Sequence, residues 1–249
     1  MEPAVLTAII ASVASLAGAL VSARMALKGQ KESADRQEKA ARVEREVEAE
    51  EVLSRYRQPL TSAAFDLQSR LRNILANRFL YNHAREDGER RLDAIHSTLF
   101  RLAQYFAWTE ILRQEVQFLD LREPEKTRSV SDLQREIAHA FASDDFGKEF
   151  MLWIDEQRGI GEMMISRAEG QTRCVGYATF SRNYESEASR WLQRFEKDLT
   201  SDSAPKNERL ERIQHLMCRL VRQLDPEGLR YPDSALEPAT RQADSATSP

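Results

Sequence analysis

The chain has 249 residues, 41% hydrophobic and 31% charged, with 9 Gly and 8 Pro, a composition that suits one domain of long helices with appendages rather than a strand-and-turn protein. A formal net charge of −4 argues against a nucleic-acid binder, because phosphate contacts need a concentrated basic face. Cys174 and Cys218 are the only cysteines; far apart and without metal-type spacing, they read as free thiols of a reducing compartment.

The first element is Ala4 to Ala23, AVLTAIIASVASLAGALVSA, twenty residues without a charge. At a rise of ~1.5 Å per residue this matches a hydrocarbon core of roughly 30 Å, so residues 4–23 are expected to form a single transmembrane helix. Only Met-Glu-Pro precedes it, whereas Arg24, Lys28, Lys31, Arg36, Lys39 and Arg42 follow. The positive-inside rule then places the N-terminus outside an inner or plasma membrane and the body of the chain in the cytoplasm. The competing expectation is a cleaved signal peptide ending at Val21-Ser22-Ala23. Against it stand the missing cationic n-region, an apolar stretch longer than the usual ~7–15 residues, and the dense charge after it. Ala4, Ala8, Ala11, Ser15, Gly18 and Ser22 line one face of the span, and small residues on one face let membrane helices pack closely. An Ala-rich segment also produces that pattern by chance.

Residues 24–51 are strongly charged and rich in helix formers, with opposite charges at i,i+4 such as Glu32 to Arg36 and Glu38 to Arg42. A solvated helical stalk is expected, with Val43 and Val47 offering only a fragment of a coiled-coil seam. Apolar periodicity begins near Val52 and continues through Leu60, Leu67, Leu71, Ile74 and Leu80 to a break at Glu86-Asp87-Gly88. A second long helix is expected from Glu89 to Leu121, the two forming an antiparallel hairpin. Arg122 to Ser129 reads as a loop, and Ser129 to Asp132 as a capping box opening a helix through Ala142. A further helix is expected over Lys148 to Ser166, weakened by Gly159 and Gly161. Cys174 to Phe180 reads equally as strand, helix or loop. Helical spacing resumes at Tyr184 and runs to Leu199, and Leu210, Ile213, Met217, Leu220 and Leu224 form a 3-4-3-4 stripe. Residues 225–249 carry too little apolar surface to fold and are expected to be a disordered tail.

Two groups of residues could carry chemistry. Glu136-x-x-His139, like Asp93-x-x-His96, places a carboxylate and an imidazole on one helix face, as metal-binding bundles do with further Glu from neighbouring helices. In a helical chain with 40 acidic residues such pairs also arise by accident. The second group is Glu110, Asp155, Glu156, Arg158 and Glu162, most of it embedded between two apolar stretches. Charges so placed must pair or shift their pKa, and either they line a pocket or Arg158 pairs with a carboxylate to hold a helix in register. No nucleophile elbow, phosphate-binding loop, zinc-protease motif or cofactor fingerprint is present in the sequence.

The expected architecture is therefore mainly α: transmembrane helix 4–23, charged stalk 24–51, cytoplasmic helical domain 52–224 and tail 225–249. The expected function is a membrane-anchored helical interaction module, a scaffold, adaptor or sensor subunit. Its partners would be the lipid bilayer, an unidentified protein, and a second copy through the small-residue face and the Leu210 to Leu224 stripe, unless that stripe docks onto its own bundle, the commoner fate of such a helix. The alternative is a membrane-anchored enzyme or metal-binding bundle built on the carboxylate and histidine groups.

Overall fold

The computed structural model describes residues 3–83, 89–117, 125–168 and 171–241. By contacts the chain divides into two compact units, residues 1–48 and 49–249.

Helix α1 is Pro3–Asn77. Within the first unit every residue from Lys28 to Ala40 is exposed, as their composition requires: there is no apolar stripe to bury, and the i,i+4 charge pairs support helix in water. The side chains of residues 4–23, and with them the expected span and its face of Ala4, Ala8, Ala11, Ser15, Gly18 and Ser22, lie outside the described residues. Among the described residues no helix is long and apolar enough to cross a membrane.

The second unit is a mainly α-helical bundle. Helix α1 runs on through Val52, where the apolar periodicity begins, with Pro59 inside the helix. The helix stops at Asn77, where Arg78 adopts φ 52°, and α2 comes next as Phe79–His83. The third and fourth helices are α3, Glu89–Gln117, and α4, Glu125–Ala142; α4 starts a turn before the expected cap at Ser129. Leu60, Leu67 and Ile74 of α1 share one core with Ile95, Leu99 and Leu102 of α3.

The helix expected over Lys148 to Ser166 is shorter than its apolar content suggests. Phe150 takes φ 56°, uncommon for a bulky side chain. It is held there by full burial, an edge contact with Phe195 at 5.1 Å and the carboxylate of Asp198, which accepts the Phe150 N–H at 2.7 Å. Helix α5 is Ile154–Met163. The chain then turns into a hairpin, β1 Ile165–Ala168 antiparallel to β2 Gln171–Cys174, with Ile165 opposite Cys174. The glycines of α5 mark close approach: a Cβ on Gly161 would lie 2.7 Å from the Phe106 carbonyl oxygen on α3, and one on Gly159 2.8 Å from the Trp191 ring. Helix α6, Tyr177–Arg182, leads through a π-helical turn, Tyr184–Ala188, into α7, Ser189–Leu199.

Helix α8, Glu208–Leu224, packs on α4. Its stripe of Leu210, Ile213, Met217, Leu220 and Leu224 is buried in the bundle's own core, which corrects the expectation that it offers a seam to a second copy. Beside the stripe, Arg209 is fully buried and donates to five backbone carbonyls, those of Ala140, Phe141, Ser143, Gly147 and Glu149, at 2.6–3.0 Å. The guanidinium thus caps the C-terminus of α4, where orphan carbonyls carry partial negative charge.

The expectation of a disordered tail fails over residues 225–241. Asp225 accepts the N–H groups of Leu229, Arg230 and Tyr231, closing a turn that includes Gly228 at φ 61°. The chain then runs back along α1 and α8, and Leu236 and Ala239 are buried. Residues 242–249 lie outside the described residues.

Candidate functional site

The returning segment is bound in the manner of a peptide ligand. Its backbone is read by side chains of α1 and α8. Gln68 donates to the Ala235 carbonyl at 3.2 Å, and Arg222 donates to that of Leu236 at 2.9 Å. Gln214 both donates to the Glu237 carbonyl at 3.2 Å and accepts the Ala239 N–H at 2.9 Å. A ring nitrogen of His215 meets the Ala239 carbonyl at 2.8 Å, and Glu211 accepts the Arg241 N–H at 3.0 Å. Six main-chain groups are engaged in this way over seven residues.

Gln68 and Gln214 are fully buried on otherwise apolar faces, and each has its partners: Gln214 also donates to Gln68 Oε1 at 3.1 Å, with Cys218 Sγ alongside at 3.2 Å. Burial pushes the Cys218 thiol up to about 11, so it stays protonated and serves as a small packing group. Side-chain anchors reinforce the backbone reading. Tyr231 stacks on Phe65 at 4.0 Å and its hydroxyl meets Ser62 Oγ at 3.0 Å. At the rim, Arg72 pairs with Glu237 at 2.6 Å and Arg222 with Asp233 at 2.8 Å.

The polar group singled out in the sequence is brought together only in part. Glu110 on α3 is buried and bonded to Arg113 and to Gln114, whose amide oxygen accepts from Arg167 of the hairpin. Burial works to raise the Glu110 pKa, but the hydrogen bonds of Arg113 and Gln114 and the charges of Arg113 and Arg158 outweigh it and hold it below the usual carboxylate range. Glu162 adds its charge to Arg113 while remaining exposed. Asp155 is exposed and lies 3.7 Å from Arg158 on the same helix. Glu156 turns away to accept the Trp153 N–H at the start of α5 and to pair with Arg194 of α7. These charges join α3, α5, α7 and the hairpin.

Glu136 and His139 lie on α4 beside an open depression of about 580 Å³ lined also by Asp132, Arg135, Asp145 and Arg212. Glu136 faces two arginines of α8, Arg219 at 3.1 Å and Arg212 at 3.8 Å. Among the described residues no group of three or more His, Cys, Asp or Glu is placed to hold a metal ion. His96, of the other pair, packs on the Tyr184 ring at 4.2 Å.

The residues that sequence reading passed over are Gln68, Gln214, Arg209, Arg222 and Asp225. A signal was present for the two glutamines: Gln68 is flanked at helical spacing by Ala64 and Leu71, and Gln214 by Leu210 and Met217. A polar side chain on an apolar face needs a buried partner.

Fold and seam together define a mainly α-helical bundle that binds a C-terminal segment of its own chain. No protein-family model, curated protein or solved structure matches this sequence.

Proposed function

We propose that this chain is a membrane-anchored interaction module: the uncharged stretch 4–23 fixes it in a bilayer by a single pass, N-terminus outside, the charged residues 24–51 form a stalk, and the cytoplasmic bundle holds protein segments. The observation that carries the binding half of this reading is the seam of α1 and α8, where polar side chains engage six main-chain groups of a returning segment that opens with a 3-10 turn and continues without helix or strand. Main-chain recognition of extended peptides is a recurring mode of protein interaction. The anchoring half rests on the length of the apolar stretch and on the basic residues after it.

The competing role, a membrane-anchored enzyme or metal-binding bundle using Glu110, Glu136, His139, Glu156 and Glu162, has less support because arginines engage Glu110, Glu136 and Glu156. Metal analysis of the full chain purified in detergent separates the two. An interaction module carries only substoichiometric metal; stoichiometric iron, manganese or zinc overturns it.

A further inference from the structure

We infer that the seam of α1 and α8 is a recognition site for an extended peptide of a partner protein, and that residues 233–241 are its occupant in cis. This rests on the interaction-module reading and specifies its partner: a segment carrying an aliphatic residue, an acidic residue directly after it, and a small residue two further on, as in Leu236-Glu237-Pro238-Ala239.

The chemistry of the seated segment defines that specificity. Among residues 233–241, Leu236 and Ala239 are the two buried side chains. Glu237 reaches Arg72 at 2.6 Å. Between these anchors the backbone is read rather than the sequence, by Gln68, Gln214, His215 and Arg222. Asp233–Ala235 form a single 3-10 turn, and Leu236 to Arg241 have no helix or strand of their own, so an outside peptide has only one turn to close in order to present the same groups.

The charged part of the segment's hold is weak. Its charged contacts, Arg72 with Glu237, Arg222 with Asp233 and Arg241 with Glu208, involve exposed side chains, and ion pairs of that kind contribute little and are screened by salt. Tethering supplies the rest, because a linked segment faces its site at an effective concentration that a free one reaches only at about millimolar levels. The tether is the Asp225 turn with Gly228 in the left-handed region, so residues downstream can leave as a unit while α8 stays in the core.

The test uses the full chain with Leu236→Asp and Ala239→Arg, which expel the segment, and a fluorescein-labelled peptide of residues 232–242, read by anisotropy. The opened chain is expected to bind the peptide at least about tenfold more tightly than the unaltered chain, where the cis segment competes. Arg72→Glu in the opened chain is expected to weaken that binding about two- to fivefold at low salt, and a peptide with Glu237→Lys to restore it, which a merely structural contact would not do. An opened chain that keeps its circular dichroism and melting curve yet binds no peptide overturns the inference. If the double substitution unfolds the bundle, Glu237→Lys in the full chain replaces it. That side chain is 62% exposed, and the unaltered peptide must then bind about two- to fivefold more tightly than to the unaltered chain; equal binding overturns the inference. Dimerisation of the opened chain with an unaltered chain, without binding of the free peptide, assigns the seam to a second copy and likewise overturns it. Either failure removes this site while leaving membrane anchoring and metal content to decide the broader reading.

Discussion

Gln68 and Gln214, 146 positions apart in the chain, meet inside the bundle at 3.1 Å and together hold the backbone of residues 235–239. The pair joins the first long helix to the last and turns their shared seam into a surface that satisfies peptide groups. Gln214→Leu removes the group that serves both the Glu237 carbonyl and the Ala239 N–H. A buried group left without its partner costs about 1–3 kcal/mol, but the segment escapes that cost by detaching into water. Trypsin cleavage after Arg230 is therefore expected to accelerate several-fold while the unfolding free energy of the bundle in urea changes by less than about 1 kcal/mol. A loss of cooperative unfolding instead would make the amide part of the core.

Two buried arginines are expected to respond in opposite directions to the same substitution. Arg209 satisfies five carbonyls, so Arg209→Met leaves them orphaned and is expected to cost about 3 kcal/mol or more. Among the described residues Arg70 has a 3.3 Å bond to Ser97 and the face of Phe79 at 3.9 Å, its Nε and Nη1 meet no partner there, and burial together with Arg101 pushes its pKa down to about 10. Replacing an uncompensated buried charge by an apolar side chain of similar volume relieves its desolvation, so Arg70→Met is expected to raise stability by about 1 kcal/mol. Urea denaturation of both variants checks the contrast.

Close packing of α5 explains why glycine occurs twice in a short helix. Gly161→Ala would gain about 1 kcal/mol of helix propensity but sets its methyl 2.7 Å from the Phe106 carbonyl oxygen, backbone that cannot yield. Overpacking of this kind costs about 1–3 kcal/mol, so Gly161→Ala is expected to lower the melting temperature. At Gly159 the neighbour is the side chain of Trp191, partly buried and able to shift, and Gly159→Ala is expected to be milder.

Glu110 gives the bundle a defined acid sensitivity. Its folded pKa lies below the ordinary carboxylate value, so its ionised form contributes stability that is complete above the unfolded pKa of about 4.3 and is lost as pH falls through the folded value. Glu110→Gln is expected to be less stable than the unaltered chain at pH 7, with the gap closing below about pH 4. A gap that stays constant across that range would show that shape rather than charge holds α3 against the hairpin.

How much the sequence reveals depends on the range of the interaction. The long helices are legible because burial on one face leaves a period: Leu60, Leu67, Leu71 and Ile74 in α1, and Leu210, Ile213, Met217 and Leu220 in α8, are all in the core. The hairpin is not, since strands of four residues carrying Ser166, Arg167, Thr172 and Arg173 offer little apolar alternation. The charged group near α5 reads as one cluster along the chain, yet helix geometry sends Glu156 towards Arg194 and Asp155 into solvent. The docking of residues 225–241 leaves no composition signal, because it depends on main-chain groups meeting side chains far away in sequence.

Anchoring is the part of the proposed function that a single measurement reaches most directly. Full-length protein carrying a reporter after Pro249 is expected to remain in the membrane pellet after alkaline extraction, with the reporter active on the cytoplasmic side, as twenty uncharged residues followed by a basic segment require. Release of the intact chain into the alkaline supernatant, or export of a shortened product beginning near Arg24, would contradict it.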